Sequence, residues 1–149
     1  MKSLKLLAAM LVLLVVALSA GTAWCENKDN GNGTITDTAT GLVWLKNADC
    51  FGKNNWDAAT SRVQSLSSGS CDLSDKSKAG QWRLPTKDEL VQRASNRQGF
   101  TNVQNYFYWS STLHPYWPSD AWYVHMDGRP ANTTPKAFNL CFWPVRAGK

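Results

Sequence analysis

The sequence lacks the patterns on which most catalytic and metal sites are built. It has only two histidines, His114 and His125, and neither lies near a serine or cysteine in a turn typical of a nucleophile. No Cys-x-x-Cys pair occurs among its four cysteines, which disfavours a zinc site. We therefore expect a protein without catalytic residues, metal or cofactor.

Charge of one sign and long apolar runs are also scarce. The 149 residues carry 16 basic and 11 acidic groups. The one long apolar run, residues 6–18, follows Lys2 and Lys5 and is shorter than the roughly 20 residues that span a bilayer. This pattern is typical of a secretion signal, so we predict a signal peptide over residues 1–23, cleavage after Ala23 and no remaining membrane anchor.

Cleavage at that point would leave one unit, residues 24–149. Its net charge would be only +3, because Lys2 and Lys5 leave with the signal. No repeat, charge block or linker divides it, so we predict a single exported domain in the periplasm, on the cell surface or in the medium. So small an excess of positive charge gives no reason to expect a nucleic-acid partner.

The cysteines are Cys25, Cys50, Cys71 and Cys141, an even number that indicates disulfides in an exported chain. Three pairings can be drawn. Cys50 and Cys71 flank one helical segment and are the most local pair, which would leave Cys25 and Cys141 to join the two ends. The alternative is that some are free, buried small hydrophobes. A lipidated Cys25 is disfavoured because Trp24 precedes it.

Two segments have helical patterns. Apolar residues recur at near-helical spacing after Asn55, which predicts a first helix over residues 56–67. Thr86 and Glu89 have the spacing of a capping box, in which each side chain accepts a hydrogen bond from the other's backbone amide. The second helix is therefore predicted to begin there and to run to about Ser95.

The remaining segments predict strands. Residues 34–36 and 42–45 are β-rich runs around a glycine-containing loop, which is the pattern of a hairpin. Aromatic and β-branched runs over residues 108–112, 121–126 and 137–145 predict three more strands. The order of hairpin, helix, helix and strands predicts an α+β fold.

Two conspicuous motifs are better explained by structure than by function. In the run Trp82, Arg83 and Leu84, strand alternation would bury the first and third residues, while the guanidinium group between them holds a carboxylate or loop carbonyls. Residues 29–33 superficially resemble a calcium loop. Glycines occupy two of the positions that need oxygen ligands, so we do not expect calcium there.

Several separated motifs occur together along the chain. They are residues 33–37 with 40–44, the segment 50–71, residues 80–86 with 89–90, residues 108–112, and residues 145–146. In this order they resemble the Lcl C-terminal domain family over about residues 27–148. That family is similar to C-type-lectin-like domains, which also include formylglycine-generating enzymes and phage receptor-binding proteins. Its founding member is the tip of a collagen-like bacterial adhesin that binds sulfated glycans.

The resemblance implies a C-type-lectin-like α+β fold, with two helices packed on a twisted antiparallel β core and adjacent termini. Such adjacency favours the pair of Cys25 and Cys141. It also implies a binding domain for a glycan or another polyanionic or envelope polymer. The alternatives are a catalyst of the formylglycine-generating type, for which Cys141 alone offers a weak match, and a structural subunit of an envelope assembly. The Glu/Gln-Pro-Asn/Asp tripeptide of calcium-dependent lectins is absent from the sequence.

Aromatic residues crowd one stretch of the chain. Eight of the 17 lie within residues 106–123, and at least half of those in the predicted strands should be core. The loop between those strands should lie at the surface. Its Tyr116 and Trp117 offer flat faces for the C–H groups of sugars or for peptide groups, and His114 and Asp120 could supply hydrogen bonds. The alternative is a loop folded back over the core.

The next loop, residues 127–136, carries a cation and an amide. Both loops connect predicted strands in the half of the fold where C-type-lectin-like domains resemble one another in placing their ligands. We therefore predict one binding face built from His114, Tyr116, Trp117, Asp120, Arg129 and Asn132. The alternative for Arg129 is a solvated position after the tight turn at Asp127 and Gly128.

Overall fold

The computed structural model describes residues 26–149, which form two helices and two antiparallel sheets. The predicted signal peptide and Cys25 lie outside the described residues. No helix within residues 26–149 is long and apolar enough to cross a membrane. In chain order the elements are β1 (Asn27–Asp29), β2 (Thr34–Asp37), β3 (Val43–Leu45), α1 (Trp56–Ser65), α2 (Lys87–Ser95), β4 (Phe107–Leu113), β5 (Asp120–His125), β6 (Asn132–Pro135) and β7 (Val145–Arg146).

The first sheet has the order β1-β2-β3-β7, and the predicted hairpin forms its centre as β2 and β3. Both ends of the described part of the chain lie near the turn of this hairpin. The carbonyl of Glu26 accepts a hydrogen bond from the amide of Thr38 at 3.1 Å, and Gly148 lies against the carbonyl of Gly41. The described ends of the chain are thus adjacent, as the resemblance implies.

Both predicted helices are present, and their start signals act as expected. The side chain of Asn55 accepts a hydrogen bond from the amide of Ala58 at 2.9 Å and begins α1. Thr86 and Glu89 form the complete capping box of α2. Helix α1 ends at Ser65, two residues earlier than predicted, because the chain is already extended at Leu66.

The run from Trp82 to Leu84 has the structural role predicted for it. The side chains of Trp82 and Leu84 are buried. The guanidinium group of Arg83 binds both carboxylate oxygens of Glu89, at 2.8 and 2.9 Å. One carboxylate therefore joins the strand-like segment before α2 to the first turn of that helix.

The second sheet has the order β4-β5-β6 and contains a strand that the sequence did not predict. Strand β6 falls within the segment we predicted to be the loop 127–136. Its sequence, Asn-Thr-Thr-Pro, contains two residue types that are depleted in strands, and it lies at an edge, where such residues are tolerated. Strand β6 therefore forms because it pairs with β5, and not because its own residues favour a strand.

The predicted strand over residues 137–145 is a different kind of structure. Residues 140–145 are fully buried, but they do not form one continuous ladder. Leu140 pairs with Asn54, Cys141 pairs with Tyr108, and the residue Val145 pairs with Arg83 as well as with β3. The segment crosses from one sheet to the other and exchanges partners on the way, so only its last residue, Val145, belongs to a named strand, β7.

Tryptophan side chains form the centre of the core. Trp44, Trp82, Trp109 and Trp143 are all fully buried. The ring of Trp143 lies 5.5 Å from that of Trp44, between ring centroids, and its indole N–H donates to the carbonyl of Leu45 at 2.7 Å. The buried indole thereby satisfies its one polar group inside the core.

One of the two predicted disulfides is present among the described residues. Cys50 and Cys71 form it. Cys141 is a free and buried thiol, and its backbone pairing with Tyr108 fixes it in the middle of the buried C-terminal segment. The predicted bond from Cys141 to Cys25 lies outside the described residues.

The buried carboxylate of Asp75 contacts the C-terminal segment and links several parts of the chain. Asp75 accepts hydrogen bonds from the amide and hydroxyl of Ser77, at 3.0 and 2.6 Å, and from Arg146 at 3.0 Å. The hydroxyl of Ser77 in turn accepts the indole N–H of Trp82 at 3.0 Å. Burial by itself would raise the pKa of Asp75, but these bonds and the charge of Arg146 outweigh it and lower that pKa.

Reduction of the disulfide should destabilise the domain without removing a core contact. The cysteines are 21 residues apart, and closing a loop of that length contributes about 3 kcal/mol in the chain-entropy model. We expect dithiothreitol to lower the free energy of unfolding in urea by about that amount. The double variant Cys50→Ser/Cys71→Ser should match the reduced protein and show no response to reductant. Equal stability of the oxidised and reduced proteins would contradict this role.

Replacement of Asp75 should change how stability depends on pH. Its pKa is lower in the folded than in the unfolded chain, so its contribution is present above pH 4 and is lost as the pH falls through the folded value. At pH 7, Asp75→Asn should lower the free energy of unfolding by about 1–3 kcal/mol. The difference from the unaltered protein should shrink below pH 4. Asp88→Asn, at a side chain 82% exposed, should change stability by less than about 0.5 kcal/mol.

Candidate ligand-binding surface

The loop of residues 114–119, which joins β4 to β5, lies on the surface. The side chains of Tyr116 and Trp117 are 82% and 62% exposed, the highest values among the large apolar residues that the structure describes. The alternative in which this loop folds back over the core is therefore wrong. Two adjacent aromatic rings are available to a ligand.

The loop is held in shape by its own hydrogen bonds. The Nδ1 atom of His114 accepts from the amides of Tyr116 and Trp117, both at 3.2 Å. Its imidazole ring stacks on the indole of Trp117, with 4.4 Å between centroids and 26° between planes. The amide of Asp120 donates to the carbonyl of Trp117 at 2.9 Å. His114 and Asp120 thus position the exposed indole.

The two predicted loops do not form one face. The first loop precedes β5 and the turn carrying Arg129 follows it, so they lie at opposite ends of a six-residue strand. At about 3.3 Å per residue, this strand separates them by roughly 20 Å. The predicted single site is corrected because consecutive antiparallel strands place successive connections at opposite ends of a sheet.

Arg129 is a turn residue, as the alternative interpretation held. Its side chain is 65% exposed and pairs with Asp127 at 2.6 Å. Asp127 also lies 2.7 Å from Nδ1 of His125. Partial desolvation would raise the pKa of Asp127, but the amide of Arg129 and the charges of Arg129 and His125 lower it. The cation of Arg129 is therefore already engaged within the turn.

Asn132 lies in β6 rather than in a loop. Its side-chain oxygen accepts a hydrogen bond from the amide of Thr133 at 2.8 Å. Pro135, two residues after Thr133, has no amide hydrogen. The edge of the sheet is thus protected at these alternate positions against pairing with another strand. The predicted ligand residue Asn132 has a structural role here.

A groove on one face of the second sheet was not anticipated. It has a volume of about 170 Å³ and is lined by Tyr106, Phe107, Tyr123, Thr134, Phe138 and Leu140. Tyr123 lies in a predicted strand, and we expected at least half of the aromatic residues in those strands to be core. Only the registers of β4 and of β6 against β5 show that Phe107, Tyr123 and Thr134 share one face. We call this feature the aromatic groove.

Cations lie close to aromatic rings around this surface. The ammonium group of Lys53 lies 3.4 Å from the ring centroid of Tyr106, and that of Lys136 lies 4.4 Å from the ring of Trp56. Such contacts fix long side chains that would otherwise move in solvent. The residues described contain no group of three or more histidine, cysteine or acidic side chains suited to a metal ion.

The loop that superficially resembles a calcium site is organised by an ion pair. Asp29 binds Lys46 at 2.6 Å and accepts the amide of Gly31 at 2.9 Å. The hydrogen bond from Lys46, followed by that from Gly31, lowers the pKa of Asp29. Its carboxylate is thus occupied by protein groups.

Comparison with known families agrees with this architecture. The family model of the Lcl C-terminal domain matches residues 33–146. The chain belongs to the Lcl C-terminal domain family. No curated protein sequence gives a significant match. The match to the Lcl C-terminal domain extends from the residue before β2 to the end of β7. It includes the disulfide, the aromatic groove and the loop of residues 114–119, which we call the aromatic loop.

The free thiol of this Lcl C-terminal domain is unsuited to nucleophilic chemistry. Burial raises the pKa of Cys141 to about 11, and the charge of Asp49 acts in the same direction against the opposing charge of Lys53. The thiolate is the reactive form of cysteine. At neutral pH, Cys141 therefore remains a buried, protonated thiol.

Cys141 should resist alkylation in the native protein. With a pKa of about 11, only about one thiol in a thousand is ionised at pH 8, and the sulfur is also buried. After treatment with iodoacetamide, mass spectrometry should find the Cys141 peptide unmodified in native protein and modified in urea. Rapid modification of the native protein at this residue would contradict the assignment and revive the catalytic alternative.

Proposed function

We propose that this domain is an exported, non-catalytic binding module that recognises a glycan or another envelope or extracellular polymer. The observation that carries the proposal is the exposed pair Tyr116 and Trp117. Most of the other tryptophans are used in the core, whereas these two neighbouring rings project from a loop between two prolines.

The order of the loop favours binding. Association costs free energy whenever flexible side chains must be immobilised. Here His114 already stacks on Trp117 and accepts two loop amides, so the indole is held before a ligand arrives. Much of the ordering cost is therefore met by folding. A rigid, exposed indole of this kind is the sort of anchor that dominates binding at many interfaces.

The chemistry of the loop favours sugars. Flat aromatic faces stack on the C–H faces of sugar rings, and the hydroxyl of Ser119 beside Asp120 offers hydrogen bonds to their rims. The disulfide is consistent with an oxidising compartment, and with the apolar N-terminal run it supports export. Two helices beside antiparallel sheets, with adjacent ends, support a C-type-lectin-like fold.

The alternatives receive less support. A catalyst of the formylglycine-generating type needs reactive cysteine chemistry, which the buried thiol of Cys141 does not favour. A structural subunit would be expected to bury its aromatic loop against a stable partner. Co-purification of such a partner would favour this alternative over the binding module, because the loop is exposed in the isolated chain in either case.

Replacement of Trp117 tests the proposal. In a screen of immobilised glycans and polyanions, we expect Trp117→Ala to weaken binding by about 1–3 kcal/mol, since it removes an exposed anchor. Its melting temperature should change little, because a ring 62% exposed contributes little to the core. Val91→Ala, which shortens an exposed apolar side chain on α2, is the matched control and should keep full affinity.

Two outcomes would count against the loop. A clear fall in melting temperature with unchanged affinity would remove it from the binding site. Binding of no glycan or polyanion by the unaltered protein would remove the ligand class itself.

A further inference from the structure

We propose that the aromatic groove is a second ring-binding subsite, which takes one sugar ring of the same polymer that stacks on Trp117. This inference rests on the proposed function and extends it. It makes the ligand an extended chain of rings, recognised along its length rather than at a single terminal sugar. The aromatic loop and the aromatic groove then form one continuous binding path.

The size of the groove fits one ring. Its volume is about 170 Å³. A closed protein cavity of about 150 Å³ holds one benzene molecule, so this open groove has room for the apolar face of one sugar ring but not for two rings. Phe138, at 58% exposed, leaves one wall open to solvent, so that a ring inside a longer chain can enter from the side.

The lining of the groove suits a ring with apolar faces and a polar rim. Phe107 packs edge-to-face against Tyr106 and against Tyr123, each with 5.0 Å between ring centroids. These contacts fix the orientation of the walls. Thr134, Tyr106 and Tyr123, which also line the groove, carry hydroxyl groups. A sugar ring can use both kinds of surface, whereas a hydrocarbon would leave the hydroxyl groups without use.

The neighbouring sheet edge disfavours an extended peptide as the occupant. A peptide would gain most by adding a strand beside β6. The amide of Thr133 already donates to Asn132 at 2.8 Å, and Pro135 has no amide hydrogen. The edge therefore offers few backbone hydrogen bonds to an added peptide strand. This favours a ligand that binds in the groove through its rings.

The groove and the loop meet through the residues after β6. The amide of Lys136 donates to the carbonyl of Ser119, the last residue of the loop, at 2.9 Å. Phe138, in the wall of the groove, donates its amide to Pro135 at 3.1 Å in the same turn. One end of the groove is thus built on the turn that touches the loop. The groove continues along β5 from Thr134, opposite Ala121, to Phe107, opposite His125. At about 3.3 Å per residue, its far end lies roughly 13 Å beyond the end nearest the loop, a length that a chain of several rings can follow.

The test compares short and long chains on matched variants. The probes are chains of two and of eight rings, prepared from β-1,4-linked glucose, from β-1,4-linked N-acetylglucosamine and from heparin, with titration calorimetry as the readout. Phe138→Ala opens the groove at an exposed residue, and Thr134→Phe fills it without removing core atoms. Trp117→Ala tests the loop, and Val91→Ala is the control. Melting temperatures are measured for all four variants.

If the groove is a second subsite, both groove variants should weaken binding of an eight-ring chain by about tenfold and leave the two-ring affinity unchanged. Trp117→Ala should weaken binding of both lengths. Unchanged eight-ring affinity in both folded groove variants would overturn the subsite, while a loss in Trp117→Ala would leave the proposed function standing.

Other results separate the two proposals further. If the groove variants weaken binding of the two-ring and eight-ring probes equally, the groove does not bind a distant ring of the longer probe. The inference would then be wrong. If the groove variants weaken binding while Trp117→Ala has no effect, the loop is not the primary binding site. The proposed path from the loop to the groove would then be wrong as well. Binding of no probe by the unaltered protein would overturn the sugar assignment of both surfaces.

Discussion

The fold depends on the return of the C-terminal segment, residues 140–146, to the centre of the molecule. This segment pairs with Asn54, with β4, with Arg83 and with β3, and it joins the two sheets. Trp143 lies at its middle and contacts rings from three other parts of the chain. Because every one of these contacts is distant in sequence, the core cannot close until the last residues are in position.

That constraint explains several features that would otherwise be unrelated. Cys141 is a free thiol because its backbone is held against β4 inside the core, where its sulfur serves as a small apolar group. The ion pair of Arg146 with Asp75 fixes the end of the segment to the polar loop after the disulfide. The disulfide constrains the far side of the same loop, so covalent and ionic links hold a region that has little regular structure.

Aromatic residues have two separate uses in this domain. The indoles of the core replace the aliphatic side chains that a larger protein would use. Three of them donate their N–H groups to nearby polar atoms, Trp82 to Ser77, Trp109 to Asn54 and Trp143 to Leu45, whereas the buried N–H of Trp44 has no hydrogen-bond partner among the described residues. A second set lies on one face of the β4-β5-β6 sheet and in the loop at its end. The rigid core supports this second set, which is why rings at the surface can be ordered without being buried.

The sequence by itself determined the features that depend on neighbouring residues: the helix caps, the link from Arg83 to Glu89, the local disulfide and the surface position of a loop between two prolines. The caps and the link from Arg83 follow from contacts three to six residues apart, and the loop follows from the stiffness of proline. The disulfide joins the most local pair of cysteines, 21 residues apart. Only the tertiary structure decided the strand β6, the free thiol at Cys141, the opposite ends occupied by Trp117 and Arg129, and the face that forms the aromatic groove. Strand pairing and register depend on distant partners, and a shift of one residue exchanges the two faces of a strand.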